Sequence, residues 1–243
     1  VPAPPNFHWV LTVDDEFTQD TSLNTNLWAN GSTSDTISFD SEGLHIQNTK
    51  AANGCGVNSP EYPQCAAGIG TGAMFSPRFG FWEWSAKIPR TNDGSGDGYH
   101  FDTYINNNIS SDRTGYQEVG IGETYTYGSG AFGDYYCCGN STDGNATVDV
   151  QIAINNPCCT SDAFHTISVW WFDDGVGNGA VSSYYDGSSL YEGGRQGTWW
   201  GSGGATIIMN NIVCNLGGCD GTTATSGNPL SYKYFRYWVL AAN

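Results

Sequence analysis

The sequence predicts an all-β fold in which two antiparallel sheets stack as a sandwich. Three observations carry this: short runs alternate apolar and polar residues, no segment of ten or more residues keeps a helical apolar period, and glycine-rich turns separate the runs. At 243 residues the chain can bury a substantial core, and it reads as one domain over 1–243.

Val1 to Asn6 is a proline-rich lead. His8 to Val13 is the first alternation and runs into Asp14-Asp-Glu-Phe17, followed by a turn from Leu23 to a buried Trp28. Thr36–Phe39 and Gly43–Gln47 read as a hairpin joined by Asp40-Ser-Glu42. Ala51 to Ala67 reads as a Gly/Pro/Cys loop, and Gly68 to Phe75 leads into the most regular strand, Arg78 to Pro89. There the period of two puts Phe81, Glu83, Ser85 and Lys87 on one face and Trp82, Trp84, Ala86 and Ile88 on the other. Gly98 to Ile105, Thr147 to Ala153, Phe164 to Phe172, Ala180 to Tyr185, Thr206 to Val213 and Tyr232 to Leu240 complete the strand-like runs, with Asp186-Gly187 as a turn.

Charged residues are only 13% of the chain, while it holds 33 glycines and 34 aromatic residues. Polarity is therefore carried by Gly, Ser, Thr and Asn, a surface that suits pyranose rings. The net charge of −16 argues against nucleic acid or an anionic membrane as partner, and disfavours polyanionic glycans such as uronans. Eight cysteines, with no zinc-ligand spacing, point to disulfides and an extracellular, secreted protein. Their separations suggest Cys55 with Cys65, Cys214 with Cys219, and Cys137/Cys138 with Cys158/Cys159. Sequons at Asn30, Asn108, Asn140 and Asn145 agree with secretion, and glycans on several of them would favour a monomer. Val1-Pro-Ala-Pro-Pro5 reads as an already processed start, with no signal peptide or apolar span in the sequence.

The stretch that carries chemistry is Tyr116 to Tyr127, where Glu118 and Glu123 flank glycines inside a strand-like run. Residues five apart on a strand face opposite ways unless one extra residue is bulged out, and Gly120 and Gly122 make that bulge easy. With the bulge the two carboxylates share a face, as glycosidic bond cleavage needs.

Together these pieces resemble the concanavalin-like jelly-roll glycoside hydrolases of family 16, the laminarinases and lichenases. Asp14-Asp-Glu-Phe17 with Leu27-Trp28 resembles that family's opening segment, and Gly43-Leu-His-Ile46 its first hairpin. Ser76 to Pro89, His165 to Trp171 with Tyr184-Tyr-Asp-Gly187, and Tyr232 to Trp238 are similar to its later strands. The resemblance implies an endo-acting hydrolase of cell-wall β-glucan, β-1,3 or mixed β-1,3/1,4, working with retention. It implies Glu118 as nucleophile and Glu123 as general acid/base, with no cofactor required. The chain departs from the family motif at Gly120, where a helper aspartate is expected; His100 or Asp102 would supply the missing polar partner from a neighbouring strand.

Tyr104, Tyr125, Trp199, Trp200 and Arg78 are the candidate substrate-binding residues. Trp82, Trp84, Tyr127, Trp170 and Trp171 are further platform candidates, most of them expected in the core; alternation sends one of each adjacent pair, Trp170/Trp171 and Trp199/Trp200, inward. His165 reads as structural, and Asp14, Asp15 and Asp186 would permit a structural calcium ion. Two other functions compete. A polysaccharide lyase would use Tyr116, Gln117, His100 and Arg113, and a lectin-like module that has lost catalysis would explain Gly120.

Overall fold

The computed structural model describes residues 1–30, 35–48, 64–87, 99–106, 118–125, 131–137, 148–149, 152–154, 163–173, 179–195, 204–214 and 229–243. Their strands are β1 (Phe7–Asp15), β2 (Ala29–Asn30), β3 (Asp35–Asp40), β4 (Gly43–Asn48), β5 (Gln64–Gly70), β6 (Gly80–Lys87), β7 (Tyr99–Asn106) and β8 (Glu118–Tyr125). The remainder are β9 (Ala131–Cys137), β10 (Val148–Asp149), β11 (Ile152–Ile154), β12 (His165–Asp173), β13 (Gly179–Tyr185), β14 (Ser188–Arg195), β15 (Thr206–Cys214) and β16 (Leu230–Ala242). Among the described residues no helix is long and apolar enough to cross a membrane.

Two antiparallel sheets form a jelly-roll β-sandwich. The first runs β14-β13-β12-β6-β16-β4-β3, with β1 also paired to β16; the second runs β10-β9-β8-β7-β15-β5-β2, with β11 also on β9. The core lies between them and draws on both. Trp82, Trp84, Ile167, Val169, Trp171, Phe235 and Tyr237 come from the first sheet, and Ile69, Ile105, Ile207 and Met209 from the second. Trp82, Trp84 and Ala86 of β6 are buried as the alternation requires, while Glu83 and Lys87 are half-buried on the outer face. Each large aromatic buried in this way stabilises the sandwich by roughly 2–3 kcal/mol. Trp82, Trp84 and Trp171 are therefore core residues, not sugar platforms.

Three strands exceed the sequence reading. β5 begins inside the expected loop because its Cys, Ala and Gly residues show no apolar alternation. β14 and β9 carry glycines that break the pattern of two. The expected strand from Thr147 to Ala153 contributes β10 and β11, both paired with β9. Asp186 and Gly187 make the β13–β14 turn with φ of 47° and 76°, the left-handed pair that a two-residue hairpin favours.

Cys55, Cys138, Cys158, Cys159 and Cys219 lie outside the described residues, and with them each of the expected disulfides. So do Asn108, Asn140 and Asn145, whereas Asn30 is exposed on β2.

Candidate active site

The site can be built from one inward-facing residue. Thr103 of β7 is 2% exposed, and its hydroxyl meets that of Tyr232 on the opposite sheet at 2.5 Å. Ile105, two residues on, is also buried, so the intervening positions Asn106, Tyr104, Asp102 and His100 fall on the outer face of the second sheet.

β8 pairs with β7 through Asn106–Glu118, Ile105–Val119 and Tyr104–Gly120, then through Phe101–Thr124 and His100–Tyr125. Between these two groups β7 has two residues and β8 three. The other neighbour of β8 locates the extra residue: Ile121 stands opposite Gly133 and Glu123 opposite Phe132, leaving Gly122 unpaired. This is the bulge the glycines allow. Glu118 is opposite Tyr136 and Glu123 opposite Phe132, four residues apart on β9, so both glutamate positions share the outer face.

The face can be read in levels two residues apart. Asn106, Glu118 and Tyr136 form the first, and Tyr104, Gly120 and Asp134 the second. Counting on from Phe101–Thr124 brings Asp102 level with Glu123 and Phe132, and His100 with Tyr125 forms the last. On the far side of β7, Asn210 stands opposite Asp102 and Ile208 opposite Tyr104. Beyond them β5 presents Gly68 and Gly70, and a Cβ at Gly68 would collide with Oδ1 of Asn210. Asn210 thus lies across a strand kept small to receive it.

Six of the residues expected at the site, Glu118, Glu123, His100, Asp102, Tyr104 and Tyr125, are brought onto this one face by register. Trp199 and Trp200 lie outside the described residues, as do Tyr116, Gln117, Arg113 and Tyr127. Arg78 sits just before β6 in the first sheet, its guanidinium 4.8 Å from the Phe79 ring, in a groove of about 580 Å³ that it lines with Phe7, Trp170, Phe172 and Asp173. Trp170 is half-buried on the outer face of that sheet, against Trp9 and Phe172.

Asp134, Asn106, Tyr136 and Asn210 escaped the sequence reading. The signal for Asp134 was the alternation Phe132, Asp134, Tyr136 following the glutamate strand, which Gly133 and the adjacent cysteines obscure.

Elsewhere the acids are engaged structurally. Asp15 accepts a 2.5 Å hydrogen bond from the Trp28 indole, and burial, opposed by that bond and helped by nearby Asp20, pushes its carboxyl up to about 6. Asp14 and Glu16 both bind the Arg236 guanidinium. Glu83 accepts from Ser168 and Tyr234 on the outer face of the first sheet. Asp186 binds the His165 ring and the Thr166 amide, which accounts for that histidine as structural. Among the described residues no group of three or more His, Cys, Asp or Glu could hold a metal ion.

The fold and this face define a jelly-roll β-sandwich whose second sheet has acidic positions, among them Glu118, Glu123, Asp102 and Asp134, on its outer face. No protein-family model and no curated protein matches the sequence. Solved structures do match the fold. The catalytic domain of an endo-1,3-β-glucanase (laminarinase) from Thermotoga petrophila is 20% identical, with 96% of this chain and 98% of that one covered and a TM-score of 0.68. A laminarinase from Flavobacterium is 16% identical over 95% of this chain and 100% of its own, with a TM-score of 0.70. A GlcNAcα1-4Gal-releasing endo-β-galactosidase from Clostridium perfringens is 15% identical, with a TM-score of 0.66; 98% of this chain is covered but only 65% of that one. At these identities the likeness is one of fold.

Proposed function

We propose that this chain is a secreted, endo-acting glycoside hydrolase that cuts neutral cell-wall β-glucan, β-1,3 or mixed β-1,3/1,4, with retention of configuration. The observation that carries the reading is the unpaired Gly122, which sets Glu118 and Glu123 on one face two levels apart. Residues 1–243 act as one catalytic domain in this reading, and no cofactor is required. The solved structures of similar fold support a glycan substrate, and their names include both glucan- and galactoside-cleaving enzymes; the charge of this chain favours a neutral glycan, and the motif resemblance favours β-glucan.

Retaining hydrolysis proceeds in two displacements, with the carboxyl groups roughly 5–5.5 Å apart. Glu118, ionised, attacks the anomeric carbon and forms a glycosyl ester while the bond to the leaving oxygen breaks and Glu123 gives that oxygen its proton. Water then attacks the same carbon, Glu123 takes the water's proton, and Glu118 leaves as carboxylate. Two carboxyl groups this close resist double ionisation, which keeps the proton on Glu123 before the first step. Asp102, level with Glu123, and His100 on the next level surround the acid; Tyr104 and Tyr125 offer rings and hydroxyls to the sugar.

Incubation with neutral β-glucans and uronans, followed by product analysis, tests this reading. Saturated oligosaccharides from a neutral glucan are expected, absent from Glu118→Gln and Glu123→Gln. An unsaturated uronide would establish a lyase instead, and retention of glucan without cleavage a lectin.

A further inference from the structure

Gly120 leaves the middle level of β8 without a side chain, yet Asp134 stands directly opposite it on β9. Resting on the hydrolase reading above, we propose that Asp134 is a positioning residue that holds the nucleophile Glu118 from across the ladder. Opposed residues of an antiparallel pair share a face, so Asp134 belongs to the same surface as Gly120, Glu118 and Glu123.

Spacing selects it over Asp102 and Asp149, the latter level with Glu118 but two strands away and two levels from Glu123. Adjacent strands are about 4.8 Å apart and one level is about 6.8 Å, so the Asp134 backbone stands about 8 Å from those of both Glu118 and Glu123. Asp102, two levels from Glu118 on the opposite strand, is about 14 Å from it, and His100 is farther still. Among the described acids of this face, Asp134 is the one whose backbone stands one level from both glutamates; Tyr104, opposite Gly120 on β7, stands as near but carries no carboxyl. The other titratable groups that pairing puts on this face around the glutamates are Asp102, His100 and Tyr104 on β7, Tyr125 on β8, Tyr136 on β9 and Asp149 on β10.

A carboxyl in the middle level does two things. Sharing a proton with the Glu118 carboxylate fixes the direction of its attacking oxygen. Sharing the proton also lowers the pH at which the pair first ionises, so Glu118 is available as carboxylate while Glu123 still holds its proton. β9 then performs from outside the strand what a residue at position 120 would perform within it.

The test compares kcat, KM and the pH profile of kcat/KM on the glucan that the parent cleaves. Asp134→Asn is expected to lower kcat about 10- to 100-fold with KM changed less than about threefold, and to move the acidic limb up by about one pH unit. Moving the carboxylate back across the ladder, Asp134→Asn with Gly120→Asp, is expected to recover about tenfold or more. Gly120→Asp alone adds a second carboxyl to a level that already holds Asp134 and is not expected to raise kcat. Parental kinetics in Asp134→Asn, a double variant no better than the single one, or a tenfold gain from Gly120→Asp alone would each overturn the inference. If the parent cleaves, Glu118→Gln does not and Asp134→Asn is indifferent, this inference alone is wrong. A parent that cleaves nothing removes the hydrolase reading and this inference together.

Discussion

The hydroxyls of Thr103 and Tyr232 meet across the sandwich, and this buried contact assigns the two faces of β7. Removing either hydroxyl removes this contact between the sheets. Thr103→Val and Tyr232→Phe are each expected to cost about 1–2 kcal/mol in urea unfolding, and the double variant less than their sum, because both polar groups are then gone. Full additivity would mean that the pair does not hold the sheets together.

Deleting Gly122 removes the extra residue of β8. One glutamate position must then move to the core face, so cleavage is expected to fall to the level of a Glu→Gln variant, with the fold weakened by a few kcal/mol from the misplaced carboxyl. Activity within tenfold of the parent in this deletion would show that the glutamates do not depend on the bulge.

Asp15 gives stability a pH dependence of defined sign. Its carboxyl rises from an ordinary 3.8 to about 6 in the folded chain, so the fold binds this proton more tightly than the unfolded chain does. The stabilising contribution is complete below about pH 4 and is lost as pH climbs through about 6, a change on the order of 2 kcal/mol. Asp15→Asn keeps an acceptor for the Trp28 indole and is expected to flatten melting temperature across this window. An unchanged slope would assign it to other groups.

Gly68 is small where Asn210 crosses it, and Asn210 stands opposite Asp102. Gly68→Ala is expected to displace that amide, lowering stability by about 1–2 kcal/mol and raising KM more than it lowers kcat. A variant with parental KM would separate Asn210 from the sugar.

Much of this architecture was legible because its signals are local. Simple alternation put Trp82 and Trp84 on the face opposite Glu83, and Gly120 and Gly122 marked the bulge. What was not legible is non-local. Asp134 acquires meaning only from standing opposite Gly120, and strand register across a hairpin is not written in either strand's own period. Arg78, a substrate-binding candidate from its sequence, adjoins a strand that is central in the first sheet rather than in the sheet that carries the glutamates, because sheet membership follows from topology rather than from neighbouring sequence.

The most direct test of the account is azide rescue of Glu118→Ala and Glu123→Ala on an aryl β-glucoside oligosaccharide with a good leaving group. If Glu118 is the nucleophile, azide attacks in its place and the Glu118→Ala variant yields the α-glycosyl azide. The Glu123→Ala variant, whose covalent intermediate is intact, yields the β-glycosyl azide. Rescue with the opposite stereochemistry would exchange the two roles. Parental turnover in both variants would contradict the two-glutamate site itself.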